Sequence, residues 1–368
     1  MTGSDRPPNG VNIVDVAQRA GVSISTVSRT LRGSVHVSDE TRARVLRAAS
    51  DLSYVPSPAA SRLASGRTRA VGVIVQFVAR WFFAEVVRGA EGVLRESGYD
   101  LLLYNVGDPV SRSHLFGTMP LRRRVDAVLT VATSFGPAEH EALDRLGVPI
   151  VVVGNQTAAV RDRVGIDDSG SAAMAVRHLA LLGHRDVTMI SGLPDDPVGR
   201  DTRLARQAGF RQGLREAGMP ERPDQICTEQ WGVEGGRRAM ERLLTERRLP
   251  TAVFAESDEM AFGALQTLRR VGLAVPRDIS VVGFDDHELA PSSDLTTIAQ
   301  PVHEQGRLAA EMVLLRATER NGTGPVPPHS IVLPTRLIVR GTTAPPRPQD
   351  APLMRPGTVA VAGPSRPG

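Results

Sequence analysis

The chain has 368 residues, length for two or three domains, and is 41% hydrophobic and 23% charged. It holds one cysteine and no lysine: all 44 basic residues are arginines, set against 40 acids for a net charge of +4. That composition excludes an internal disulfide, a multi-cysteine zinc site, lysine Schiff-base chemistry and a phosphate loop closing on Gly-Lys-Ser/Thr.

No stretch of ~18 apolar residues occurs, so no membrane span is expected. The opening MTGSDRPPNG has no charged segment followed by an apolar one, so no export leader is expected and the chain is assigned to the cytosol. HExxH, GxSxG and GxGxxG are all missing, which argues against an enzyme and against a metal or nucleotide cofactor. Cys227 as a lone nucleophile would need a histidine partner, and none stands near it in sequence. Charge is unevenly placed. Residues 1–70 carry ten arginines against five acids, so the positive excess belongs to the N-terminus and the rest is near neutral. A basic module on a neutral body points to a polyanion partner, or to a solvated helical surface and no more.

In chain order, Ile13, Val16, Ala17 and Ala20 share one helical face. Gly21 stops that helix, and Ser23 can cap the next, whose Val27 and Leu31 lie four apart. A third helix opens at Ser38 with Asp39 and Glu40 in its first turn, buries Val45, Ala49 and Leu52, and should end at Pro56. Two short helices about a glycine turn form a helix-turn-helix. The second presents Ile24, Ser25, Thr26, Ser28 and Arg29. These are hydroxyls that reach phosphates or bases, one apolar side chain, and one guanidinium that can pair with guanine O6 and N7. Residues 57–64 form a single potential turn, too short to hold a helix alone, and on their composition read as a linker.

From residue 70, apolar runs at 71–75, 101–104, 127–131, 150–153, 187–191, 252–255 and 279–284 alternate with helical segments such as 84–97 and 171–182. Such alternation implies βαβ units and parallel sheets. The pattern changes at Asp167-Asp168-Ser169, a capped helix start, with around six strand–helix units on each side and hence two similar lobes. Residues 343–368 are rich in Pro, Gly and Ala with no apolar period; they should be disordered, and they carry no leucine heptad for a tetramer.

The stretch VNIVDVAQRAGVSISTVSRTLRGSVHVSDETRARVLRAASDLSYVPSPAASRLASGRT resembles the headpiece of LacI-type transcriptional regulators, through the long signature VxDVAxxAGVSxxTVSRxL. AVGVIV, FFAEVVRGAE, HLALLGHRDV, RQAGFRQGL, SDEMAFGAL, VPRDISVVGFDDHELA and LTTIAQPVHEQGRLAAEMVL are similar to that family's effector domain, so the likeness spans about residues 11–342. It implies an N-terminal all-α helix-turn-helix headpiece (11–57), then a hinge helix and linker (58–69). A two-lobed α/β, periplasmic-binding-protein-like effector and dimerisation domain would follow (70–342), crossing between lobes near 168, 300 and 332, and then the tail (343–368). Ile24, Ser25 and Arg29 would sit where the family reads base edges. Thr26 and Ser28 would touch phosphates, on the helix that Ser23 opens. Leu63 would wedge into the minor groove, with the small Ala60 letting two hinges approach.

For the effector, the resemblance points to Arg206, Trp231 and Asp285, with Phe82, Ser257 and Asp258 in the same cleft. A donor fork, an acceptor and a stacking face suit a hydroxyl-rich ring, so a sugar or related metabolite is expected. The implied protein is a homodimeric regulator, expected to be a repressor, on a near-palindromic double-stranded operator. Its grip on DNA would be set allosterically by the effector. Two departures stand out: Arg80-Trp81 precede Phe82-Phe83 where the family often has Asn-Pro, and Gly154 replaces an aspartate of some sugar-binding members. An exported sugar-binding protein would share the body but carry a leader and no headpiece; an α/β nucleotide enzyme would need a glycine-rich phosphate loop.

Overall fold

The computed structural model describes residues 11–31, 36–54, 67–154, 161–194, 199–246, 249–319 and 327–347. The chain divides into two compact units, residues 1–68 and 69–368. Among the described residues no helix is long and apolar enough to cross a membrane.

The first unit holds α1 (Ile13–Ala20), α2 (Ile24–Leu31) and α3 (Asp39–Asp51). Asn12 caps α1 by accepting from Val14 N at 2.8 Å, while Asp15 Oδ2 accepts from Asn12 N at 2.9 Å, a reciprocal pair that fixes the helix start. Gly21 ends it at φ 65°, a left-handed turn that costs a glycine little. Val16, Ala17, Ala20, Val27, Val45, Ala48 and Ala49 close into one small core. The third helix does not run to Pro56. It stops at Asp51, because Leu52 caps it, Ser53 turns left-handed at φ 50°, and Tyr54 N donates back to Ala49 O at 2.8 Å. The hinge positions Ala60 and Leu63 lie outside the described residues.

The second unit contains two six-stranded sheets. Sheet 1 draws on β1 (Ala70–Val75), β2 (Asp100–Asn105), β3 (Ala127–Val131), β4 (Ile150–Val153), β5 (Asp162–Ile166) and β11 (Ser330–Leu333). Its order is β11-β5-β4-β3-β1-β2, all parallel. Sheet 2 draws on β6 (Val187–Gly192), β7 (Ile226–Glu229), β8 (Ala252–Ala255), β9 (Ser280–Asp285), β10 (Thr296–Ala299) and β12 (Arg336–Ile338). Its order is β12-β10-β9-β8-β6-β7, parallel except for the β10–β12 edge. The central strands are buried along their whole length, which is why they read as unbroken apolar runs.

Around sheet 1 lie α4 (Trp81–Glu96), α5 (Pro109–Thr118), α6 (Pro137–Asp144) and α11 (Val302–Glu319); around sheet 2 lie α7 (Asp168–Leu181), α8 (Arg200–Glu216), α9 (Val233–Thr245) and α10 (Asp258–Arg270). Each sheet thus has six strands but, among the described residues, four α-helices rather than six, since no helix is described between β4 and β5, between β9 and β10, or between β11 and β12. The chain passes from sheet 1 to sheet 2 between β5 and α7, returns between β10 and α11, and crosses again between β11 and β12. Helix pairs cross closely where a glycine meets the partner's backbone: a Cβ on Gly209 of α8 would lie 2.0 Å from Ser169 O of α7. The body does not end at 342. Thr343 Oγ1 lies in hydrogen-bond contact with His178 Nε2 at 3.0 Å, and the buried His184 donates from Nε2 to Ala344 O at 2.9 Å. These contacts fix the first residues of the expected tail, and residues 348–368 lie outside the described ones.

Candidate functional site

Two sites emerge. In the first unit, α2 has no acid, and its outer face carries the exposed Ile24, Ser25 and Arg29 with the half-buried Thr26 and Ser28. Ser23 opens the helix. Its Oγ lies 2.8 Å from Ser25 Oγ and 2.9 Å from Thr26 Oγ1, and accepts from Thr26 N at 3.2 Å. The three hydroxyls therefore cluster at the positive end of the helix, where phosphate is favoured. Arg29 lies back along the helix, with Nε donating to Ser25 O at 3.3 Å. Ile24 is 48% exposed, an apolar side chain that nothing in its own core requires.

In the second unit, a cleft opens at the carboxyl ends of both sheets, where open α/β sheets bind ligands. Of the expected effector residues, Phe82, Arg206, Trp231, Ser257 and Asp285 all line it. Arg206 is the hub. It projects from α8 with Nε donating to Asp168 Oδ1 at 2.9 Å and Nη1 to the backbone O of Glu256 at 2.5 Å. Nη1 lies 3.9 Å from Asp285 Oδ1, and the guanidinium stacks 3.6 Å above the Phe284 ring. Burial raises the Asp168 carboxyl despite Arg206 beside it, and lifts Asp285 well above the usual carboxylate range. Asp285 ends β9 at φ 122°, a strained backbone for a residue with a side chain. Gln300 Nε2 donates to it at 2.6 Å, and Gln305 Nε2 in turn to Gln300 Oε1 at 2.8 Å.

Aromatic side chains form the walls. Phe82 packs edge-on to Phe83 with centroids 5.4 Å apart, and Trp81 lies 4.9 Å from the His287 ring. Burial lowers the His287 pKa, and its Nδ1 accepts from Leu289 N at 3.0 Å. The Trp231 ring packs against Gly192, and its backbone O accepts from Arg80 Nη2 at 2.9 Å. Ser257 caps α10, accepting from Met260 N at 3.3 Å. Gly154 also lines the cleft, at φ 107°. Asp258 does not line it. Its carboxylate points into the sheet, accepting from Thr297 Oγ1 at 2.6 Å and from His287 N at 2.8 Å.

Several lining residues were not among the expected contacts: Gln76, Asp168, His287, Gln300 and Gln305. Gln76 and Gln300 share one signal, a polar residue just past an apolar strand, as Asp285 is a polar end to one.

The model of the bacterial regulatory proteins of the lacI family matches residues 12–57, and that of a periplasmic binding protein-like domain matches 176–343. The HTH-type transcriptional repressor PurR of Erwinia tasmaniensis is 34% identical over 313 residues, covering 84% of this chain and 91% of its own length. The transcriptional regulator CelR, solved in complex with cellobiose, is 32% identical with a TM-score of 0.68, covering 90% of this chain and 99% of its own. The lac repressor dimer, solved with operator and the anti-inducer ONPF, shares the fold at a TM-score of 0.80 and 24% identity, covering 91% and 100%. With an operator-type helix-turn-helix, a two-sheet effector domain and these likenesses along nearly its whole length, the chain belongs to the LacI family of bacterial transcriptional regulators.

Proposed function

We propose that the chain is a homodimeric repressor whose two headpieces read the halves of a near-palindromic operator, and whose cleft takes an uncharged, hydroxyl-rich effector, a sugar or close relative. On α2, Ile24, Ser25 and Arg29 reach base edges while Thr26, Ser28 and the Ser23 hydroxyl hold phosphates; Ala60 and Leu63 of the hinge meet the minor groove. In the cleft, Arg206 donates, Asp285 accepts, and Trp231, Trp81 and Phe82 supply flat apolar faces. Ser257 offers a hydroxyl at the rim.

The observation that carries this reading is the balance of charge in the cleft. Asp168, Asp285 and Glu259 line it against Arg206 and Arg80, and Arg206 is already paired with Asp168. A phosphate or carboxylate entering there would meet guanidiniums already engaged by Asp168 and by the backbone oxygens of Glu256 and Trp231, whereas hydroxyls satisfy both donors and acceptors. A relative solved with cellobiose supports the same ligand class. The test is a fluorescence-anisotropy titration of the purified dimer on DNA from its own promoter region, repeated with ribose, cellobiose and ribose 5-phosphate. Tight, salt-sensitive binding that a free sugar alters and the phosphate does not is the expected result; no site-selective binding would refute it.

A further inference from the structure

Gln76 is the first residue past β1 and lines the effector cleft, yet it is fully buried. Neither its Nε2 nor its Oε1 has a hydrogen-bond partner among the described residues. The other two glutamine amides of the cleft are engaged, Gln300 with Asp285 and Gln305 with Gln300. Most first-lobe residues that line the cleft with Gln76 are apolar or already committed. Phe82, Phe83 and Ala132 carry no hydrogen-bonding side-chain atom, and the Arg80 guanidinium is held by Trp231 O and lies 4.3 Å over the Phe77 ring. The backbone cannot swing to relieve the amide, since Gln76 O packs against Gly107, where a Cβ would lie 2.1 Å away.

A buried amide without a partner is costly, and a leucine or methionine of similar size would fill the same space without that cost. We infer that Gln76 is the recognition residue of the first lobe, its amide completed by the effector when the lobes close on it. This rests on the effector-cleft reading above. An amide offers one acceptor and two donors on a single plane, which matches a group that both donates and accepts, such as a pair of neighbouring hydroxyls. Arg206 and Asp285 would hold the same ring from the second lobe, so a ligand lacking those hydroxyls would engage one lobe only.

The test uses the full-length dimer and its Gln76→Leu and Gln76→Met variants. Without ligand, both variants should melt at the wild-type temperature or up to roughly 2–4 °C above it. The stabilising shift that ribose or cellobiose gives the wild type should vanish in both. A clear fall in the ligand-free melting temperature of both variants would show that the amide is structural, and a sugar shift kept in full would remove Gln76 from recognition. Operator affinity, measured alongside, separates the outcomes: its absence from the wild type would sink the regulator reading itself, whereas its presence with a retained sugar shift would sink only the role of Gln76.

Discussion

Burying a carboxylate is tolerable only when hydrogen bonds replace the water it loses, and Asp258 shows how narrow the balance is. Two donors reach it, but burial outweighs them and its pKa is pushed up to about 6. A raised carboxyl pKa means that its contribution to stability is fully present below the unfolded value near 4 and is lost as pH rises through about 6. Relative to Asp258→Asn, which cannot titrate, the wild type should therefore lose on the order of 3 kcal/mol across that window. Melting temperatures of both chains from pH 4 to 7 test this: the gap between them should move by several degrees, and a constant gap would contradict it. Arg206 stands at the opposite pole. It is the cation between the buried Asp168 and Asp285, so Arg206→Met leaves both carboxylates without their counter-charge. Denaturant melts at neutral pH should show a loss of about 3–5 kcal/mol, together with loss of any effector response.

At the level of elements, the proposed function places specificity on α2 and leaves stability to its neighbours. Arg29 is exposed and, among the described residues, hydrogen-bonds within its own helix, so Arg29→Ala should leave folding intact and weaken operator binding by about 1–3 kcal/mol, with relaxed preference at one base pair in a competition assay. The crossing of α7 and α8 is held by the absence of a side chain. Gly209→Ala should cost about 1–3 kcal/mol and displace Arg206 one turn away, whereas Gly92→Ala on α4, where a Cβ meets nothing within 4 Å, should gain roughly 0.5–1 kcal/mol. Thermal melts of the two variants separate these effects by sign. The same elements show what a sequence can reveal. The runs 127–131, 150–153 and 252–255 coincide with β3, β4 and β8 because strands buried on both faces must be apolar throughout. Arg206 and Asp285 were expected from the resemblance, the one three residues before Gly209-Phe210 and the other directly after Gly283-Phe284, and both line the cleft. Gln76, His287 and Gln300 were not, since what brings them together is the order of strands within two sheets. Asp258 follows Ser257 in sequence, but a turn of α10 sends its carboxylate toward Thr297 instead of the cleft.

Across the whole effector unit, several described contacts bridge the cleft. Arg80 Nη2 reaches Trp231 O at 2.9 Å, the Trp81 ring meets His287 at 4.9 Å, and Ser134 Oγ donates to Asp201 Oδ2 at 3.1 Å. Each joins an element of the first lobe to one of the second. The first two come from Arg80-Trp81, the pair that departs from the pattern the resemblance implies. A hydrogen bond from a charged donor is worth about 1.5–3 kcal/mol and an aromatic pair about 0.5–1.5 kcal/mol. Removing both in an Arg80→Ala, Trp81→Ala double variant should therefore shift the closed–open balance toward open by about 2–4 kcal/mol. Because only the closed form holds the ligand on both walls, apparent effector affinity should fall by roughly 30-fold to several hundred-fold. Small-angle scattering should show a larger radius of gyration for the ligand-free double variant than for the wild type. If the two radii agreed and the effector affinities matched, Arg80 and Trp81 would be packing residues, and closure would have to depend on the effector alone.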